Sequence, residues 1–118
     1  EMQWRILQQK KPNDFVVATG QAFSVRQFVE IASKYLNLKI YWQGKGLNEV
    51  GYLKKGSKKE IIIRVDKNYF RPNEVEYLRG DARKAFRVLK FKPKYSFKDL
   101  VKDMIENDLI EAKKKFEI

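Results

Sequence analysis

The sequence predicts a small α/β or α+β domain. Capping signals stand ahead of apolar residues at helical spacing, at Ser24 and again at Ser96, and short β-branched runs such as Ile61-Ile62-Ile63 are interleaved with them. At 118 residues the chain is expected to form a single domain over 1–118, with enough material to bury one core.

Taken in order, Met2, Trp4, Ile6 and Leu7 fit a helix that stops near Lys10-Lys11-Pro12, because proline cannot extend it. That amphipathic pattern is already under way at Glu1, so the chain is expected to be a portion of a longer protein. Asn13-Asp14 marks a turn. Phe15-Val16-Val17-Ala18, bounded by that turn and Gly20, reads as a buried strand. Ser24 and Gln27 form a capping box, and Val25, Phe28, Val29, Ala32, Tyr35 and Leu36 give the helix behind it an apolar stripe expected in the core. Leu38 to Trp42 reads as a strand, Gln43 to Gly51 as a glycine-punctuated loop, and Tyr52 to Lys59 as a lysine-rich mobile connection. Glu60 to Asp66 is the clearest strand, its isoleucines implying burial on both faces. Asp81 is placed to cap a helix carrying Ala82, Ala85, Phe86 and Leu89, closed by Phe91 and Pro93. Ser96 and Asp99 then cap a long helix with Phe97, Leu100, Val101, Met104, Ile105, Leu109 and Ala112 on one face. Lys113-Lys114-Lys115 at its end complements the helix dipole.

Composition narrows the chemistry. With 43% hydrophobic and 35% charged residues the chain reads as globular, and no apolar run approaches a membrane span. Cysteine and histidine are absent, which removes thiolate catalysis, the usual imidazole base and the commonest metal ligands, so no metal is expected. The net charge of +11 suits a polyanion, an anionic membrane surface or a phosphorylated small molecule. The lysines fall mostly at expected turns and helix ends, where solvated lysine is ordinary. The glycine loop fails as a phosphate cradle on context, since Gly44-Lys45 is not followed by Ser or Thr and the loop precedes no helix.

The most informative stretch is Tyr69-Phe70-Arg71-Pro72-Asn73-Glu74-Val75-Glu76. Proline fixes its own φ and pushes Arg71 into an extended conformation, with Glu74 following on the turn. A guanidinium matches a phosphate and a carboxylate accepts from neighbouring hydroxyls, so Arg71 and Glu74 suit the diphosphate and ribose of a sugar nucleotide. The same two residues also suit a local ion pair at a turn, a type of exposed contact worth about 0–1 kcal/mol.

These residues carry a resemblance. Ala18-Thr19-Gly20 with Ser24-Val25-Arg26-Gln27-Phe28-Val29, Trp42-x-Gly44-x-Gly46-x-x-Glu49-x-Gly51, and above all Val65-Asp66 with Tyr69-Phe70-Arg71-Pro72-x-Glu74-Val75 resemble the C-terminal part of the GDP-mannose 4,6-dehydratases. These are extended short-chain dehydrogenase/reductases that modify nucleotide sugars. Gly80-Asp81-x-x-Lys84-Ala85 and Leu89-x-Phe91-x-Pro93 resemble the tail of the wider superfamily, with Lys90-Phe91 where Gly-Trp is usual. A lysine in a left-handed cap costs about 1–2 kcal/mol, so that cap is expected to be built differently.

The resemblance implies the C-terminal substrate-binding portion of an NADP-dependent cytoplasmic lyase, with the Rossmann domain absent from this chain. In such an enzyme NADP takes a hydride from C4 of GDP-mannose, water leaves across C5 and C6, and the hydride returns to C6, giving GDP-4-keto-6-deoxy-mannose. It further implies Arg71 as diphosphate ligand and Glu74 as ribose ligand, a homo-oligomer when full length, and partnership with a missing N-terminal dinucleotide-binding domain. The family's catalytic Ser/Thr, Glu and Tyr-x-x-x-Lys have no matching context here, so the chain is expected to be inactive alone, with no membrane or nucleic-acid partner. Two alternatives stay open: a C-terminal piece of a related nucleotide-sugar epimerase or reductase, and a basic nucleic-acid-binding module.

Overall fold

A computed structural model describes residues 1–71, 75 and 77–116. They gather into two compact units, the first made of 1–23 and 75–96 and the second of 24–74 and 97–118.

In unit 1, α1 (Met2–Leu7) and α3 (Arg83–Leu89) share a small core of Met2, Ala85 and Leu89, with Ile6, Phe15 and Phe91 packed against it. So small a core is supplemented by polar clasps. The Arg5 guanidinium donates to the Leu89 carbonyl at 2.8 Å and the Lys90 carbonyl at 3.1 Å, satisfying acceptors that a helix end leaves open. Its other face holds Glu1 Oε1 at 2.7 Å, a hydrogen bond that lowers the Glu1 pKa. The Lys84 amine donates to Asn13 Oδ1 at 2.6 Å and to the Asp14 carbonyl at 2.8 Å, tying the Asn13-Asp14 stretch to α3.

Three expectations are corrected in this unit. Lys90 does adopt the left-handed cap, with φ 52° and ψ 30°, and the Arg5 contacts to both carbonyls offset a strain of about 1–2 kcal/mol. Asp81 lies one residue before the N-cap, Ala82, yet its carboxylate still accepts the Arg83 backbone N–H at 3.0 Å. Phe15 to Ala18 enters no ladder, and Val16 and Val17 are exposed, because no described strand offers it ladder groups. The chain instead passes closely at Gly80, where a Cβ would stand 2.6 Å from the Ala18 Cβ.

Unit 2 is built on α2 (Val25–Tyr35), α4 (Phe97–Phe116) and an antiparallel sheet of β1 (Tyr41–Gln43), β2 (Val50–Lys55) and β3 (Lys58–Arg64) in the order β1-β2-β3. The capping box forms as expected. Ser24 Oγ accepts from the Gln27 N–H at 3.1 Å, and Gln27 Oε1 accepts from the Ser24 N–H at 2.8 Å. At the other end Asn37 is left-handed, with Leu38 N–H bonded to the Ser33 carbonyl and Asn37 N–H to that of Lys34, the Schellman pattern. Helix α4 packs on α2 through fully buried Val101 and the Phe28–Phe97 ring contact at 6.2 Å. Among the described residues no helix is long and apolar enough to cross a membrane.

The sheet corrects the remaining boundaries. Pairing begins at Tyr41 rather than Leu38, and most of the Tyr52–Lys59 connection is ladder, with only Gly56-Ser57 turning between Lys55 and Lys58. Gly56 takes φ 60°, the positive value that a two-residue hairpin demands. Ile61 and Ile62 are each 42% exposed rather than buried on both faces, since among the described residues β3 is an edge strand bonded to β2 alone. The helix stripes are also less covered than their periodicity implies: Val25 in α2 and Leu100, Met104 and Leu109 in α4 are exposed.

Candidate functional site

Strand β3 delivers the chain to the stretch singled out in the sequence. Asp66 accepts the Asn68 N–H at 2.8 Å, capping a 3-10 turn over Lys67–Tyr69. Phe70 then leaves extended, with φ −73° and ψ 125°, and Arg71 follows on the wall of a cavity of about 500 Å³ within unit 2. Arg71 is thus brought to a concave site of a size that suits small ligands. Glu74, with Pro72 and Asn73, lies outside the described residues.

The opposite walls come from α2, β1 and the loop before β2. Val25 and Val29 reach the cavity from α2, with Ile63 of β3 and Phe70, giving it a largely apolar lining. Val25, which core packing leaves exposed, therefore serves as cavity wall. Arg26 also faces in: its guanidinium lies 4.7 Å from the Trp42 ring centroid and is ion-paired with the Glu49 carboxylate. Trp42 is anchored in turn by its indole N–H, which donates to Glu30 Oε1 at 3.2 Å. Arg26, Trp42 and Glu49 stand in the motifs quoted above, but their convergence was not anticipated. One local signal existed: Arg26 sits in the first turn of α2, where the helix dipole disfavours a cation, so a specific acidic partner was to be expected.

The glycine loop serves this wall. Gly44 takes φ 84°, and a Cβ there would stand 2.2 Å from the Asn48 carbonyl oxygen, so only glycine lets the loop fold back and carry Glu49 toward Arg26. The loop runs through a 3-10 turn at Gly46–Asn48 into β2. Without a helix N-terminus behind it, it does not fit the phosphates of a dinucleotide. Among the described residues no group of three or more Asp, Glu, His or Cys is arranged to hold a metal.

Unit 1 has a separate hollow between Thr19-Gly20-Gln21 and Arg79 to Arg83. At its rim the Arg83 side chain, then the Arg83 backbone N–H, holds the Asp81 carboxyl down at about 2. This pair is exposed at the surface and shapes α3 rather than the Arg71 cavity.

Residues 1–104 match the family model described as GDP-mannose 4,6 dehydratase. The chain is 45% identical over 109 residues to the GDP-mannose 4,6 dehydratase of Drosophila melanogaster, covering 92% of this chain and 27% of that protein. It is 44% identical over 109 residues to that of Cricetulus griseus, covering 92% and 29%. With the GDP-mannose 4,6-dehydratase of Yersinia enterocolitica it shares 40% over 120 residues, 95% and 32% of the two chains. The chain therefore spans about a third or less of the relatives it matches.

Proposed function

The chain belongs to the GDP-mannose 4,6 dehydratase family, and from that premise we propose that it is the substrate-binding portion of an enzyme converting GDP-mannose to GDP-4-keto-6-deoxy-mannose. Arg71 holds the diphosphate and Glu74 the ribose hydroxyls. What supports this reading is the position of Arg71 on the wall of an apolar cavity directly after the Lys67–Tyr69 turn. A guanidinium beside apolar surface binds a diphosphate more strongly than one in open water, because the lower local dielectric strengthens charge-assisted hydrogen bonds.

In this reading the whole enzyme is an NADP-dependent, cytoplasmic, homo-oligomeric extended short-chain dehydrogenase/reductase. The dinucleotide and the proton-transferring groups belong to a dinucleotide-binding portion other than this chain. The residues present bind and orient the nucleotide end of the substrate, and take no part in bond breaking.

Calorimetry on the full-length protein tests the assignment. Losing a charge-assisted partner costs about 1.5–3 kcal/mol, so Arg71→Ala is expected to weaken GDP binding about ten- to hundredfold at an unchanged melting temperature. Glu74→Gln keeps the shape and is expected to weaken it less. A small loss of stability with GDP affinity intact would instead identify Arg71 and Glu74 as a local ion pair.

A further inference from the structure

Helix α4 runs well past the residues that pack it. Val101 is fully buried and Ile105 half-buried, but from Glu106 to Phe116 every residue is exposed. That stretch is roughly 16 Å long at the helical rise, a length at which a helix alone in water is marginal. It also lies beyond residues 1–104, which match the family model. We propose that it pairs antiparallel with the same stretch of a second copy of this chain, whatever the Arg71 cavity binds.

The spacing supplies the seam. Ile105, Leu109, Ala112 and Phe116 follow one another at intervals of four, three and four, the repeat of two helices packed side by side. They continue the stripe that opens with Phe97 and Val101 against α2, so α2 covers the first turns and leaves the last ones bare. Leu109 is exposed, and so is Phe116. In an antiparallel pair Leu109 meets the partner's Ala112 and Ile105 meets the partner's Phe116, on both sides of a two-fold axis.

Charge decides the direction and the occupant. Glu106 and Lys113 stand on one flank of the seam, Asp108 and Lys115 on the other. Antiparallel packing sets equivalent positions of the repeat against each other, so Glu106 faces the partner's Lys113 and Asp108 faces the partner's Lys115. A parallel pair matches only Asp108 with the partner's Lys113. The stretch is thus its own complement, with Glu106, Asp108 and Glu111 before Ala112 and Lys113, Lys114 and Lys115 after it. Contacts within the helix do not oppose this. Glu106 lies 3.6 Å from Lys102 in an exposed pair, a contact of little worth in water, and a carboxylate accepts from a second cation without giving up the first. Two helices touching over so short a length bury less than the about 1,200–2,000 Å² of a stable complex, so the pairing is reversible.

Sedimentation equilibrium over a concentration series of the 118-residue chain tests the pairing, with helix content followed by circular dichroism. The wild type is expected to pass from monomer to dimer as concentration rises. Glu106→Lys with Asp108→Lys, and separately Lys113→Glu with Lys115→Glu, each set like charges across the seam and are expected to weaken the dimer about tenfold or more. Mixed in equal amounts, the two variants regain opposite charges at every position and are expected to associate at least as well as the wild type. Leu109→Asn, which leaves the charges alone, is expected to weaken the dimer comparably. If a reversal lowers the helix content of the monomer, Lys113→Gln with Lys115→Gln removes the attraction without adding repulsion, and is expected to weaken the dimer severalfold.

A wild type that stays monomeric at every concentration overturns the proposal, and leaves the stripe to another part of a longer protein or to a different partner. So does a dimer that ignores both charge reversals, which would be held by another surface. Reversals that fail to rescue each other on mixing would show that the flanking charges do not face one another, and the antiparallel pairing would fall.

Discussion

In unit 1 the stretches that meet are far apart in the chain, and polar side chains reach across that distance. Arg5 binds carbonyls 84 and 85 residues away, and Lys84 binds Asn13 and Asp14 from 71 and 70 residues away. In unit 2 the helix ends are closed by partners a few residues off, as at Ser24/Gln27 and Ser33/Leu38, and the helices then join through Val101 and the Phe28–Phe97 contact. Unit 1 thus closes the end of α3 with hydrogen bonds from a side chain at the other end of the sequence. A unit with capped helices can leave part of an apolar stripe uncovered, and here one uncovered residue, Val25, becomes cavity wall. The cavity that Arg71 lines accordingly lies within unit 2.

The contrast can be broken by single substitutions. Val101→Ala removes methyl groups from a fully buried position between α2 and α4, at an expected cost of about 2 kcal/mol. Amide exchange should report lower protection in α2 and α4 with α3 unchanged. Equal losses in α3 would remove the distinction between the units.

Arg5→Ala leaves the Leu89 and Lys90 carbonyls to water and the left-handed Lys90 without its offset. The expected cost is about 1–1.5 kcal/mol, confined to α1 and α3. Arg5→Lys should recover only part of it, since an ammonium lacks the fork that spans both carbonyls. Full rescue by lysine would mean that charge at the helix end, and not the fork, carries the stabilisation.

The smallest expected effect concerns Asp81. Its carboxyl is held at about 2, below the ordinary 3.8, by the Arg83 side chain and backbone N–H. A group whose pKa is depressed by folding stabilises the fold above its unfolded pKa, and that contribution is lost as pH falls from near 4 toward 2. A carboxyl-detected NMR titration should show a midpoint near 2, rising toward 3.8 in Arg83→Ala. A midpoint that ignores the substitution would show that the pair is not what holds Asp81. Because the pair is exposed, the accompanying stability change should be slight.

Much of this was legible in the sequence, because it depends on residues close together in the chain. The capping box at Ser24 with the helix behind it, and the long helix that begins at Phe97, are short-range physics, expressed wherever the chain goes. What the tertiary structure alone decided depends on neighbours that periodicity does not name. Ile61-Ile62-Ile63 has the pattern of a central strand, but a strand is covered on both faces only when other elements pack there, and among the described residues β3 has one neighbouring strand. Phe15 to Ala18 has strand composition, but a ladder needs a second backbone beside it. Lys90 was set against a left-handed cap by its own sterics, and accepted it because Arg5 arrives from the other end of the sequence. The wall opposite Arg71 formed in the same way: Arg26, Trp42 and Glu49 are scattered over 23 positions, and only the fold of α2 against the sheet and its glycine loop gathers their charges and ring into one site.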